Sequence, residues 1–203
     1  NMGKCEYLIA QAITENCDDP LVKGLEKRGI IINRDDVDFG SVEFAADKSN
    51  VVSALPLLSG KKAFEIYQPG NTPFTGSNSA LATGTSRNTF THQIVMYIPD
   101  SGPDVAESII DPLANGSFLV ILENKFKKMQ GTPAGAAAFE IYGFYQGLVA
   151  NAATLDKYSD DTNGGWSFTL QEAGSPKSAL YLFAETYAAT KTLIETLLKG
   201  ATE

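Results

Sequence analysis

Short runs in which apolar and polar residues alternate, separated by clusters of Gly, Pro, Asn, Asp and Ser, recur along most of the chain. The strictest run is Gly165–Glu172, in which Trp166, Phe168 and Leu170 alternate with Ser167, Thr169 and Gln171. A period of two residues places the two sets on opposite faces of a strand, so this segment is predicted to be a strand with one buried face. Trp166 is then expected in the core.

The same reasoning predicts further strands, and the turn signals between them are dense. The segments are Gly29–Asn33, Ser41–Ala45, Asn50–Leu57, Lys62–Tyr67, His92–Ile98, Ser117–Glu123, Phe139–Tyr145, Leu148–Lys157 and Leu180–Phe183. Phe139–Tyr145 and Leu148–Lys157 are expected to pair as a hairpin around Gln146-Gly147. Leu21–Lys27 is interpreted as a helical turn, and Tyr7–Thr14 is compatible with strand or helix.

Two helices are predicted. Pro103–Leu113 has Pro103 in its first turn and Ser101 or Asp100 as a candidate cap, and Pro112 indicates an irregular end. Glu185–Leu198 repeats apolar residues at helical spacing. Because the elements do not alternate as βαβ, the sequence favours a mainly β fold, a β-sandwich or barrel with one or two flanking helices, with α+β as the alternative. One domain is expected over residues 2–203.

Two long excursions interrupt this pattern, at about residues 69–91 and 124–137. Between Thr72 and Thr91 the first has only one charge, Arg87, and three large apolar residues, Phe74, Leu81 and Phe90. It is predicted to be a long loop between the paired strands Lys62–Tyr67 and His92–Ile98. Because so little could anchor it, we expect it to be mobile or extended in an isolated subunit and ordered by another chain.

Composition narrows the function classes. The net charge is −8 and the isoelectric point about 4.7, which disfavours tight binding of nucleic acid, because such binding relies on Lys and Arg at phosphates. No apolar run is long enough for a membrane span. Cys5 and Cys17 are predicted to be reduced thiols rather than a disulfide framework.

Recognisable catalytic chemistry is absent from the sequence: no Walker A, GxGxxG, HExxH, GxSxG or CxxC pattern occurs. His92 is the single histidine, so any Ser–His or Cys–His pair must use it. Two acidic clusters, at 35–38 and 156–163, are interpreted as turns rather than calcium loops. We therefore expect no enzyme activity, no metal and no cofactor.

Five stretches resemble the virion structural proteins of tailed bacteriophages and prophages, in particular a tail-tube-like family. They are CDDPLVKGLEKRGIIINRDDVDF (17–39), TPFTG (72–76), RNTFT (87–91), GPDVAESIIDPLANGSFLVIL (102–122) and DKYSDDTNGGWSFTLQE (156–172). The resemblance spans most of the chain and implies a β-sandwich with a flanking helix and a long inter-strand loop. It also implies subunits that stack as rings around a DNA channel.

On this interpretation the chain is a virion protein, assembled in the host cytoplasm, whose partners are its own copies, other phage tail proteins and DNA that passes without tight binding. No membrane is involved. The strands Lys62–Tyr67 and His92–Ile98 are the expected sheet edges. The candidate assembly residues are Thr72, Phe74, Thr75, Leu81, Arg87, Phe90 and Thr91, and deleting Thr75–Arg87 should leave a folded monomer.

Three alternatives remain open. A tail terminator or completion protein would share the same sequence features. A carbohydrate- or ligand-binding β-sandwich would use its Thr- and Asn-rich loops. A hydrolase would need a site that no motif reveals.

Overall fold

The computed structural model describes residues 6–200, so Cys5 lies outside it. The strands are β1 (Leu25–Asn33), β2 (Glu43–Ala45), β3 (Lys48–Ala54), β4 (Phe64–Tyr67), β5 (Asn78–Ala82), β6 (Thr89–Ile98), β7 (Phe118–Asn124), β8 (Phe139–Tyr142), β9 (Val149–Leu155), β10 (Trp166–Ser175) and β11 (Tyr181–Leu182). They form a seven-stranded sheet in the order β2-β3-β11-β8-β7-β1-β4 and a four-stranded sheet in the order β5-β6-β10-β9. The predicted β-sandwich with flanking helices is confirmed.

The strand β7 shows how the layers are arranged. Phe118–Leu122 is an unbroken apolar run in which every residue is buried. Leu119 and Ile121 pack into one core with Ile194 of the C-terminal helix, while Val120 and its neighbours on the same face pack against the four-stranded sheet. Because both faces of β7 are covered, its sequence is continuous rather than alternating. The seven-stranded sheet is thus the middle layer.

Two helical segments flank the sheets. The first consists of α1 (Pro103–Val105), a π-helical turn (Ala106–Ile110) and α2 (Asp111–Asn115), and it adds Ile110 and Leu113 to the core between the sheets. Its N-cap is Gly102 without a side-chain bond, so the predicted cap by Ser101 or Asp100 is wrong. The second is α3 (Tyr187–Lys199), capped by Thr186, whose hydroxyl accepts the N–H of Ala189 at 3.0 Å.

Two local predictions are wrong. Leu21–Lys27 is not a helical turn, because β1 already begins at Leu25. Phe139–Tyr145 and Leu148–Lys157 do not form a hairpin, because β8 pairs with β7 and β11 while β9 pairs with β10. The chain changes sheets through Gly143 and Gly147, both at positive φ, and a Cβ at Gly143 would stand 2.3 Å from the Phe118 carbonyl oxygen.

The excursion after β4 also differs from its prediction. The strands on either side of it, β4 and β6, belong to different sheets and are not paired with each other. Phe74 is only 3 % exposed and packs in the core between the sheets, so the segment does have an apolar anchor. The strand β5 within it pairs with β6 in its own chain. The excursion is therefore a core-anchored β-hairpin rather than an extended loop that another chain has to order.

Candidate assembly surface

The four-stranded sheet has an outer face without charge. Within β5, β6, β10 and β9 the only charged residue is Glu172, and its side chain is buried. The strand registers, together with the buried positions of β6 and β10, identify the outward residues. These are Asn78, Ala80, Ala82, Thr91, Gln93, Val95, Tyr97, Ser167, Thr169, Gln171, Thr154, Ala152 and Val149. The face is therefore neutral, built of small, hydroxyl and amide side chains.

The two edge strands of this sheet, β5 and β9, are exposed. The strand β5 reads NSALA, with Leu81 59 % exposed, and β9 reads VANAATL, with Val149 47 % exposed. Each is the last strand on its side, so no strand within residues 6–200 pairs with its outer row of backbone N–H and C=O groups. Neither strand carries the charge or proline that usually protects an edge. They are candidates for pairing with another chain.

The rest of the β6 edge, beyond the end of β5, is closed by side chains. Gln68, 2 % exposed, accepts the N–H of Tyr97 at 2.9 Å and donates to its carbonyl at 2.8 Å, as a neighbouring strand would. The hydroxyl of Ser77 accepts the N–H of Val95 at 2.9 Å. His92–Ile98 is therefore not a sheet edge, and that prediction is wrong. The open edge is confined to β5.

The β4 edge of the seven-stranded sheet differs from β5 and β9 because it carries ion pairs. Arg28 donates to Glu65 of β4 at 2.6 Å and to Glu195 of α3 at 2.5 Å. The hydrogen bond from Arg28 lowers the pKa of Glu195 from its ordinary value. Lys62–Tyr67 does form an edge strand, as predicted, but charged groups lie along its helix-facing side.

Glu172 and Arg34 hold the crossover between the two sheets. The buried carboxylate of Glu172 accepts the N–H groups of Gly143, Tyr145 and Gln146 at 2.9–3.1 Å. The Arg34 guanidinium donates to the carbonyls of the same turn, including that of Phe144 at 2.9 Å. Burial, together with the charge of Glu172, raises the pKa of Tyr145. The connection that separates β8 from β9 is thus fixed by charge-assisted bonds.

The buried side chain of His92 in β6 forms a hydrogen bond with Ser79 of β5 on the inner face of the sheet. Its Nε2 lies 3.1 Å from the Lys177 carbonyl oxygen and its Nδ1 lies 2.6 Å from the Ser79 hydroxyl. A carbonyl can only accept, so Nε2 carries a proton and donates to it; in the neutral imidazole Nδ1 then accepts from Ser79. Ser79 borders a cavity of about 580 Å³ that Glu140 and Tyr142 also line. Burial, then the neighbouring Glu140, raises the pKa of Tyr142.

The predicted assembly residues fall into two groups. Thr72, Phe74 and Thr75 lie at the base of the hairpin, where Phe74 serves the core. The second group lies near the tip of the hairpin, where Leu81 and Phe90 are cross-strand partners and Thr91 is on the neutral face. Arg87, also at the tip, donates to the Pro176 carbonyl at 3.4 Å.

Sequence reasoning missed the second edge, β9. Its uncharged composition, VANAATL, resembles that of β5 and was the available signal.

Cys17 is a free, exposed thiol. Among residues 6–200 no group of three or more His, Cys, Asp or Glu is placed to hold a metal ion, and no helix there is long and apolar enough to span a membrane.

Comparisons of the chain with protein-family models, with curated proteins and with solved structures gave no match.

Proposed function

We propose that the chain is a non-enzymatic virion structural protein, a tail-tube-like subunit that assembles head to tail into rings. One observation carries the proposal: the four-stranded sheet ends in two exposed, uncharged strands, β5 and β9. Pairing of β5 in one copy with β9 in the next is a heterologous contact, which closes into a ring when the rotation permits. The resemblance of the sequence to tail tube proteins supports the same arrangement.

The neutral outer face supports a channel for DNA. Rings closed through β5 and β9 would join the four-stranded sheets into one continuous sheet, and its outer face carries no Lys or Arg. Such a face releases no counterions from phosphates, so it would not hold DNA that has to slide past. A tail terminator or completion protein would use the same face, and ring stacking distinguishes the tube subunit from it.

Two other functions have weaker support. A sugar-binding module would use Trp166 as a platform, but this ring packs beside Phe168, 5.9 Å between centroids, against the core. A hydrolase would use Ser79 with His92 as its base, which the 2.6 Å contact favours. Labelling of Ser79 by a fluorophosphonate, lost in Ser79→Ala, would support the hydrolase.

The free edges can be blocked without breaking the fold. The N–H groups of Val95 and Tyr97 point to the β5 side of β6. Because N–H groups alternate in direction along a strand, that of Ala80 points to β6 and that of Leu81 points outward. The same alternation leaves the N–H of Ala153 outward on β9. Leu81→Pro and Ala153→Pro therefore remove an outward donor, and proline is tolerated on edge strands.

Size-exclusion chromatography and negative-stain microscopy over a range of concentrations test the proposal. We expect rings or tubes from the native chain and monomers from either proline variant. Leu81→Thr and Ala153→Thr keep the N–H and are the matched controls, which should still assemble. A native chain that stays monomeric at all concentrations, or proline variants that assemble normally, would contradict the proposal.

A further inference from the structure

The N-terminal segment 6–24, here called the arm, exposes apolar side chains that its own chain leaves uncovered. It forms neither helix nor strand, and Leu8, Ile9, Ile13 and Leu21 are 76–89 % exposed. These are the most exposed aliphatic side chains in residues 6–200. Burying one such side chain contributes substantially to binding, and contiguous exposed apolar groups mark interaction sites.

A complementary groove lies at the other end of the molecule. It is a cavity of about 670 Å³ between β4, the end of β6 and the helical segment α1–α2. Its apolar walls include Phe64, Ile66, Met96, Ile98, Ile109 and Leu113. Only Glu65 and Asp100 among its lining residues are charged. The groove opens beside β4, the last strand of the seven-stranded sheet, and no other strand in residues 6–200 pairs with the backbone groups along that rim.

We propose that the arm of one copy docks in this groove of a second copy and adds a strand to the free edge of β4. Tyr7–Thr14 is an uncharged run of eight residues, compatible with a strand. As a strand it would place Tyr7, Ile9 and Ile13 on one face. Phe64 and Ile66 pair with Ile31 and Gly29 of β1. Ile31, Phe64 and Ile66 line the groove, so the arm's apolar face meets an apolar wall.

The contacts of the arm direct it away from its own groove. Arg87, at the hairpin tip, lies 5.9 Å from the Tyr7 ring, and Asp19 accepts the N–H of Gln130 at 3.0 Å. The tip is at the start of β6, and the groove is at its end, roughly 30 Å away at about 3.4 Å per residue. The arm and the groove therefore face opposite ends of the subunit. A head-to-tail contact between them extends along an axis.

This inference rests on the proposed function and adds to it: edge pairing closes rings, and the arm joins one ring to the next. Cross-linking tests the contact itself. In a Cys5→Ser, Cys17→Ser background, one full-length chain carries Ile9→Cys and a second carries Ser108→Cys, at the groove wall. Mixing and oxidising them should give at least tenfold more disulfide-linked heterodimer than Ile9→Cys with Ser59→Cys, an exposed serine outside the groove.

Equal yields from both pairs would overturn the proposal. So would a chain carrying both Ile9→Cys and Ser108→Cys that forms only an intrachain link at every concentration, since the arm would then occupy its own groove.

Stacking separates this proposal from the ring proposal. Ile9→Ser with Ile13→Ser should weaken the arm contact at least about a hundredfold, because two large apolar side chains are lost from it. Rings should persist, but tubes should not form. Ala10→Ser with Ala12→Ser, on the opposite face of the predicted strand, is the matched control and should still give tubes. Tubes from the Ile9, Ile13 variant would overturn the arm proposal while leaving the rings intact.

Discussion

The two sheets of this protein differ in where their apolar surface and their charges lie. The seven-stranded sheet buries both faces of β7, and Arg28 pairs with Glu65 on its edge strand β4. The four-stranded sheet buries one face only, has a neutral outer face and ends in two uncharged strands. The middle sheet therefore holds the fold, and on the proposed function the ring contacts belong to the edges of the outer sheet.

The largest loss of stability should come from substitutions in the middle sheet. Leu122→Ala removes a fully buried side chain between the two sheets, and we expect a loss of about 2–5 kcal/mol in the free energy of unfolding, measured with urea. Leu81→Ala makes the same change on the exposed β5 and should cost less than about 0.5 kcal/mol. Equal costs would contradict the division of roles.

The second largest loss of stability should come from Glu172, which holds the crossover between the two sheets. Glu172→Gln replaces a carboxylate that accepts three backbone N–H groups with an amide that has one acceptor oxygen. We expect a loss of about 2–4 kcal/mol in urea unfolding, because buried donors lose their partner. Gln171→Ala, on the adjacent outer position, is the control and should be nearly neutral. A neutral Glu172→Gln would show that Arg34 alone fixes the crossover.

The third test removes the hairpin tip. Gly76 packs against Val95 in the interior of β6, and Asn88 precedes the start of β6, about 20 Å away at strand spacing. Deleting Thr75–Arg87 therefore cannot join Phe74 to Asn88 without unravelling β6. That deletion should therefore not give a normally folded monomer. Replacing 81–90 with Asn-Gly instead closes the paired residues Ala80 and Thr91 with a two-residue turn.

We expect this shortened hairpin to cost no more than about 2 kcal/mol in thermal or urea unfolding and to prevent ring formation. Circular dichroism reports the fold and microscopy the assembly. Persistent rings would show that the tip of β5 is not part of the contact.

The smallest effect on stability should come from the neutral face. Thr91→Lys with Thr169→Lys should change the free energy of unfolding by less than about 0.5 kcal/mol per site, because both side chains lie on the outer face. Assembled rings of this variant should retain DNA in a salt-dependent way, measured by co-sedimentation. Thr91→Glu with Thr169→Glu is the control. Equal DNA retention by the native rings would contradict a sliding channel.

Much of the fold followed from local patterns. The alternation in 165–172 correctly predicted β10 and the inward position of Trp166, and the apolar run 117–123 correctly predicted β7. The alternating segment Phe139–Tyr145 was also a strand in part, but its partner was assigned wrongly. Sequence adjacency favours a hairpin, whereas Gly143, Gly147 and the buried Glu172 instead take the chain across to the other sheet.

The sequence by itself determined where most strands lie, although not β5 or the start of β1. It also determined that the chain is acidic and that the region around residues 72–91 is almost uncharged. These are properties of single residues and of short periods, which do not depend on distant partners. Only the tertiary structure decided that Phe74 anchors this region, that Gln68 closes the open half of β6, and that β5 and β9 are the two free ends of one sheet. Strand order decides each of these points, and it depends on contacts between residues far apart in the chain.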